Sequence, residues 1–487
     1  MFVKVTKSGP RRYVQLVEAY RDAQGRPKQR TLVTLGRLDQ IDNALNSVHV
    51  GLSRILGVNT EATFDNGTAA FDSSRTFGDV WALDQIWKQL GLDRLRGVLQ
   101  QRSRHRIDLE SLLRIMVFNR LCDANSKLGV LRWLQCVSLP DMNLRSVDHH
   151  QLLRTMDALI EYQEVIGQVL AGVVSPLVNE DLSVIFYDIT TIRAEGLTEL
   201  VQDVRQFGMS KEGVIARQFM LGLVQTAQGI PIYHEVFEGN KAEGKTLKET
   251  LQRVMSRFPL KRVIVVADRG LLSINNLQEL QEITLPGGQQ LEFILAVPGR
   301  RYSEFAQLLE PINAVCEAHL SRIVRVDLKG EGFSYRVDDK ALELARSMDG
   351  KLLLVSNAKD LSADEVIKRY KSLGDIERGF RVLKSEIEIG PVYHRLPERI
   401  RAHATICFIA LVLHRVMRSR LQKKPLPEIV SPERALMSLR RIQTHSVTLP
   451  GQKTPITGIS TISPEQSAIF QSIGVRKPTA RDAYVNL

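Results

Sequence analysis

From residue 182 the chain stops reading as helix and becomes a series of short apolar runs, and their order limits the fold more than any other feature. Residues 182–187 are strand-like. Residues 219–225 and 230–237 flank Thr226-Ala-Gln-Gly229 and predict a hairpin, because that linker has turn chemistry. Residues 246–258 have helical spacing, 262–267 are strand-like, 273–281 helical and 291–297 strand-like. The order is β, β, β, α, β, α, β. Two of the apolar runs end on an aspartate: Asp188 in Ser183-Val-Ile-Phe-Tyr-Asp-Ile-Thr-Thr191 and Asp268 in Val263-Ile-Val-Val-Ala-Asp-Arg-Gly270.

This α/β order is that of an RNase H-like fold. Its first and fourth strands are neighbours, which predicts Asp188 and Asp268 side by side at the C-terminal ends of their strands, where open α/β sheets bind ligands. A third carboxylate, Glu377, lies on a helical stretch expected from Ser362 to about Glu388. On a helical wheel Leu373, Ile376, Leu383 and Ile387 cluster around Phe380 within roughly 60°. Tyr370, Glu377 and Lys384 recur every seventh residue, nearly two turns, and stack on one flank of that apolar face. Gly374 shares the flank and costs about 1 kcal/mol inside a helix. Three carboxylates brought together repel unless a hard cation such as Mg2+ neutralises them, which points to phosphodiester chemistry. The plain alternative for this segment is an amphipathic helix with surface pairs Glu377–Arg381 and Glu377–Lys384.

Seven segments are expected. Residues 1–45 form a small basic β-meander carrying Lys4, Lys7, Arg11, Arg12, Arg21, Arg26, Lys28, Arg30 and Arg37, either a solvated surface or a phosphate-contacting flap. Residues 46–77 form a linker and 78–178 a helical region, DNA-binding module or scaffold. Trp81, Trp87 and Trp133 sit at apolar helical positions and predict core. Residues 179–298 are the first part of the core, 299–360 a β-rich insertion, 361–424 the second part with the Glu377 helix, and 425–487 a loop-rich basic end. A net charge of +12 and a pI near 9.5 suggest a polyanionic partner. Cys122, Cys136, Cys316 and Cys407 are isolated, so neither a zinc site nor a disulfide framework is expected. The first residues lack a signal-peptide apolar block, and the longest apolar run, 404–413, is too short to cross a bilayer. A cytoplasmic protein is expected.

The motifs resemble those of DDE transposases of bacterial and archaeal insertion sequences, in the group marked by a Y-x2-R-x3-E-x6-K helix. Tyr370, Glu377 and Lys384 match its Tyr, Glu and Lys, while Leu373 stands at the Arg position. Tyr187-Asp188-Ile-Thr-Thr191, Ala267-Asp268-Arg-Gly270 and Val236-Phe-Glu-Gly-Asn240 are also similar to the family's. The resemblance implies an RNase H-like core with an inserted β domain, and cut-and-paste DNA transposition. It implies that Asp188, Asp268 and Glu377 bind two Mg2+, with Mn2+ as substitute, for in-line displacement at phosphorus. Tyr370, Arg381 and Lys384 would contact DNA phosphates. The implied partners are terminal inverted repeats and target DNA, engaged by a homodimer at the nucleoid, with no membrane. Two other readings stay open at this point: another metal-dependent nuclease, and an inactive transposase-derived DNA-binding protein.

Overall fold

The structure is a computed structural model. It describes residues 2–8, 11–22, 24, 26–37, 70–102, 107–142, 147–177, 184–196, 200, 203–209, 213, 215–241, 244–258, 262–267, 283–284, 288, 290–297, 324–327, 334–348, 352–449 and 454–483. The chain forms two compact units, each discontinuous in sequence. Met1–Val173, Ala194–Asp203 and Arg381–Leu487 make the first, Val174–Arg193 and Val204–Phe380 the second.

Along the chain the strands are β1 (Phe2–Ser8), β2 (Arg11–Arg21), β3 (Pro27–Arg37), β4 (Ala70–Thr76), β5 (Val184–Arg193), β6 (Gln206–Met209), β7 (Ile215–Thr226), β8 (Pro231–Glu238), β9 (Ile264–Ala267), β10 (Glu292–Ala296), β11 (Val324–Asp327), β12 (Ser334–Val337), β13 (Leu354–Ser356), β14 (Gln443–Thr448) and β15 (Ile456–Ile459). The helices are α1 (Gly78–Gln89), α2 (Arg94–Arg102), α3 (Leu109–Cys122), α4 (Lys127–Trp133), α5 (His149–Glu161), α6 (Gln163–Val174), α7 (Gly244–Arg257), α8 (Asp339–Met348), α9 (Ala363–Lys371), α10 (Gly374–Ser385), α11 (Pro397–Lys423), α12 (Pro432–Leu439), α13 (Pro464–Ser472) and α14 (Ala480–Ala483).

The second unit is organised on one mixed sheet, in the order β13-β10-β9-β5-β7-β6, with β8 also on β7. β5, β9 and β10 run parallel; β7 is antiparallel to β5, β6 and β8, and β13 is antiparallel to β10. All four residues of β9 are buried, as are most of β7 and β10. Such continuous apolar runs are what strands covered on both faces require. Leu247, Leu251 and Val254 recur at helical spacing on α7 and are buried, and α7 lies against β8. α9 lies against β9, β10 and β13.

The structure departs from the sequence reading in four places. β5 does not stop at Tyr187; it continues to Arg193, so Asp188 is mid-strand. The run after it keeps pairing with β7 because Ile189 and Ile192 are buried and Thr190 and Thr191 are β-branched. The expected helix from 362 to 388 is two helices. Ser372 and Leu373 break it: the Ser372 hydroxyl donates to the Lys368 carbonyl, and Leu373 N–H bonds three residues back to Tyr370 at 3.0 Å. Gly374 therefore opens α10 rather than sitting inside a helix. In the segment read as a β-rich insertion, β11 and β12 pair, but α8 is helical and β13 joins the central sheet. Finally, part of the expected linker is β4, which pairs with β14 in a three-stranded sheet, so the C-terminal region read as loop carries β14, β15 and α12 to α14.

In the first unit β1, β2 and β3 form an antiparallel meander. The helices gather around α11, which packs on α5, α3 and α1. By length and apolarity α11 is a candidate membrane span, but 89% of its apolar window is buried inside the protein, as in a core helix. Trp81, Trp87 and Trp133 are buried, and the Trp87 indole donates to Glu110 at 2.8 Å. Asp84, Glu110 and Arg114, all under 3% exposed, form a charged network, and Lys88 adds a 2.8 Å pair to Asp84. Burial raises the Asp84 and Glu110 carboxyl pKa values, with Arg114 opposing the rise in both. Cys122, Cys136 and Cys407 are free thiols, and Cys316 lies outside the described residues.

Candidate active site

Asp188 is held by the strand that carries it. Its partner across β7 is Leu223, and its Oδ1 accepts from the Ile189 amide at 2.7 Å. The preceding Tyr187 is fully buried and donates its hydroxyl to Thr246 Oγ1 of α7 at 2.8 Å, which ties β5 to that helix. Asp188 itself is half-buried. β5 and β9 are in parallel register, with Val184 opposite Ile264 and Phe186 opposite Val266. Asp188 follows Phe186 by two residues, and Asp268 follows Val266 by two. Asp268 and the expected helix at 273–281 lie outside the described residues.

Glu377 is exposed on α10; its amide donates to the Leu373 carbonyl at 3.2 Å, and its carboxylate makes no hydrogen bond or ion pair among the described residues, so the surface pairs with Arg381 and Lys384 do not form. Phe380, Leu383 and Ile387 are buried, as the wheel requires. Arg381 is exposed and Lys384 half-buried on the same helix, whereas the half-buried Tyr370 lies near the end of α9. The seven-residue line is thus continuous from Glu377 to Lys384 and interrupted between Tyr370 and Glu377. No group of three His, Cys, Asp or Glu side chains converges among the described residues.

Sequence reasoning missed Gln225. It is fully buried opposite Phe186, and strand alternation puts it on the Asp188 face of the sheet. Both its amide atoms are buried without a hydrogen-bond partner. An alternation count from Asp188 across the hairpin would have placed it. The row of Asp188 and Leu223 continues to His234 of β8, whose pKa burial lowers to about 3, so the imidazole is neutral. Three arginines of α11 are committed internally: Arg399 at its start pairs with Asp157 at 2.7 Å, Arg420 near its end donates to the Ile473 carbonyl, and Arg415 is buried. In the meander, Arg11 and Arg37 pair with Asp123, and Lys4, Lys7, Arg12, Arg21 and Arg26 are exposed.

Two transposase families match the chain. The transposase DDE domain matches residues 179–413, and the IS1634 family transposase N-terminal domain matches residues 3–58. No curated protein matches it. Among solved structures it is similar to the cryo-EM structure of a piggyBac transposase synaptic complex with hairpin DNA, at 10% identity and a TM-score of 0.37, over 77% of this chain and 82% of that one. The matched domains define an enzyme that cleaves DNA and transfers strands, a class dependent on divalent metal. The chain belongs to the DDE transposases of insertion sequences.

Proposed function

We propose that this transposase moves its element by cut-and-paste, using Asp188, Asp268 and Glu377 as catalytic, metal-binding carboxylates on an RNase H-like core. The observation that carries the reading is the parallel register of β5 and β9, with Asp188 and Asp268 each two residues further along the sequence than the paired Phe186 and Val266. The strand order β8-β7-β5-β9-β10, three antiparallel and then two parallel, supports the RNase H-like assignment.

The residues suit Mg2+. The donors are hard carboxylates, and the unpartnered Gln225 amide offers polar atoms for the water that Mg2+ keeps in its shell. Bound Mg2+, two ions with Mn2+ as substitute, would stabilise charge on the attacking and leaving oxygens of an in-line displacement. The chain's own residues do the positioning. Asp188 is fixed by a strand paired on both sides, and Glu377 offers a carboxylate unpaired among the described residues, on a helix anchored by Phe380. Tyr370, Arg381 and Lys384 hold DNA phosphates. The partners are terminal inverted repeats and target DNA, bridged by a homodimer at the nucleoid in the cytoplasm.

The test is cleavage of a duplex carrying the inverted repeats that flank the reading frame. Cleavage is expected with Mg2+ and lost with chelator; chelator-insensitive cleavage would sink the metal assignment. Two further outcomes are expected. Binding of that duplex should fall steeply with salt, with a log–log slope of about −4 if four or five of the exposed meander cations meet phosphates. A flat salt dependence would reject this footprint. Lys384→Ala should slow end cleavage about 10- to 100-fold, the loss of one charged phosphate contact of roughly 1.5–3 kcal/mol, with partial recovery in Lys384→Arg. Wild-type cleavage by Lys384→Ala would leave Lys384 a surface charge.

A further inference from the structure

The edge of the central sheet carries an apolar face that the catalytic reading does not use. β6 and β7 form a two-stranded ribbon with Met209 opposite Ile215 and Phe207 opposite Arg217. Phe207 and Met209 alternate onto one face of β6, and Ile215, directly across from Met209, shares it. These three side chains are 61%, 62% and 69% exposed, among the most exposed large apolar groups described.

The back of the ribbon is closed. A Cβ on Gly208 would lie 2.5 Å from the Gly239 carbonyl oxygen, and one on Gly239 would lie 2.0 Å from the Gln218 carbonyl oxygen. The Gln218 amide donates to the Gly239 carbonyl at 3.0 Å and to Met209 at 3.4 Å, and Arg217 Nε donates to the Arg205 carbonyl at 3.2 Å. The ribbon is therefore braced at its base and on one side while three apolar side chains point outward. That geometry lowers the ordering cost of binding.

We propose that Phe207, Met209 and Ile215 form a wedge that inserts between stacked base pairs of the DNA end being cut. The proposal rests on the DNA-cleaving reading above. Three side chains expose well under the ~800 Å² that each partner of a stable protein interface buries. Apolar wedges of this size are what DNA-kinking proteins place between base steps from the minor groove, which β-strands also enter. β7 is also continuous from the ribbon to Leu223, which faces Asp188. Eight residues separate Leu223 from Ile215, a reach of about 26 Å at ~3.3 Å per residue, or about eight base-pair steps of ~3.4 Å. The wedge and the catalytic aspartate thus act on one short stretch of duplex.

The probe is the inverted-repeat duplex with 2-aminopurine placed singly at each step within about ten base pairs of the cut, mixed with the full chain in chelator. Wild type should raise the fluorescence at one or two adjacent steps, the mark of unstacking. Phe207→Ser/Met209→Ser/Ile215→Ser should abolish the rise and weaken binding about 10-fold, with an unchanged melting temperature because the side chains are exposed. Phe207→Trp should keep the rise. The wedge is overturned if wild type gives no rise, or if the triple variant keeps it. It is equally overturned if the triple variant loses only self-association by analytical ultracentrifugation, which would make the face a contact with a second copy. Failure of the catalytic reading is seen separately, as absence of Mg2+-dependent cleavage of the same duplex by wild type.

Discussion

Asp188→Asn, Asp268→Asn and Glu377→Gln should each lower DNA cleavage by about a thousand-fold or more while leaving affinity for the inverted-repeat duplex near wild type. Each change keeps the shape of the side chain and removes one negative charge. A cation held by three carboxylates supplies several kcal/mol of transition-state charge stabilisation, and each 1.36 kcal/mol is about tenfold in rate. For Asp188 the strand around the change should not move, because β5 is paired on both sides and Tyr187 is tied to α7. For Glu377 the carboxylate has no partner among the described residues to lose. Single-turnover cleavage and a gel-shift titration on the same duplex check both halves. Near-normal cleavage by any one variant removes that residue from the site, and lost binding would recast it as structural.

The largest effect on stability should come from Arg114→Ala. Arg114 is buried between Asp84 and Glu110, themselves buried, and its removal leaves two carboxylates without their shared cation. Breaking such a group by deleting one partner costs about 3–5 kcal/mol, a fall of about 3–5 °C in the melting temperature for a chain of 487 residues. The loss should depend on pH, and its sign is fixed. Burial already raises both carboxyl pKa values and Arg114 opposes it, so without Arg114 they rise further. The folded variant then holds more protons than the unfolded chain, and its stability falls as pH rises. Calorimetry should find the variant closer to wild type in mildly acidic than in mildly alkaline buffer. A loss independent of pH would mean that packing of the Arg114 stem, rather than its charge, holds the network.

What the sequence revealed follows from how local each signal was. The hairpin of β7 and β8, the buried β9 and the three core tryptophans were readable because alternation and helical spacing act over a few residues. The neighbour relation of β5 and β9 was readable from element order. The break at Ser372 was hidden because Tyr370, Glu377 and Lys384 keep perfect helical spacing through it, while a serine hydroxyl bonding back to Lys368 leaves no periodic trace. The polar run of β4, Ala70-Phe-Asp-Ser-Ser-Arg-Thr76, has no alternation to announce a strand; its partner β14 defines it, and that partner is hundreds of residues away. Asp188 and Glu377 were proposed from residue type, whereas Gln225 required an alternation count carried across the β5–β7 pairing.

The sheet that joins β4 to β14 also sets a clock on synthesis. Ser74 and its hydrogen-bond partner Gln443 are 369 residues apart. A ribosome adding about 5–20 residues each second needs roughly 20–70 s to pass from one to the other. Over that interval the second unit can be made in full and fold on its own strands, while β4 waits with an open edge. A messenger cut short, or a ribosome that stops before Gln443, releases a polypeptide carrying the whole stretch from Asp188 to Glu377 but lacking the strand that closes the other unit.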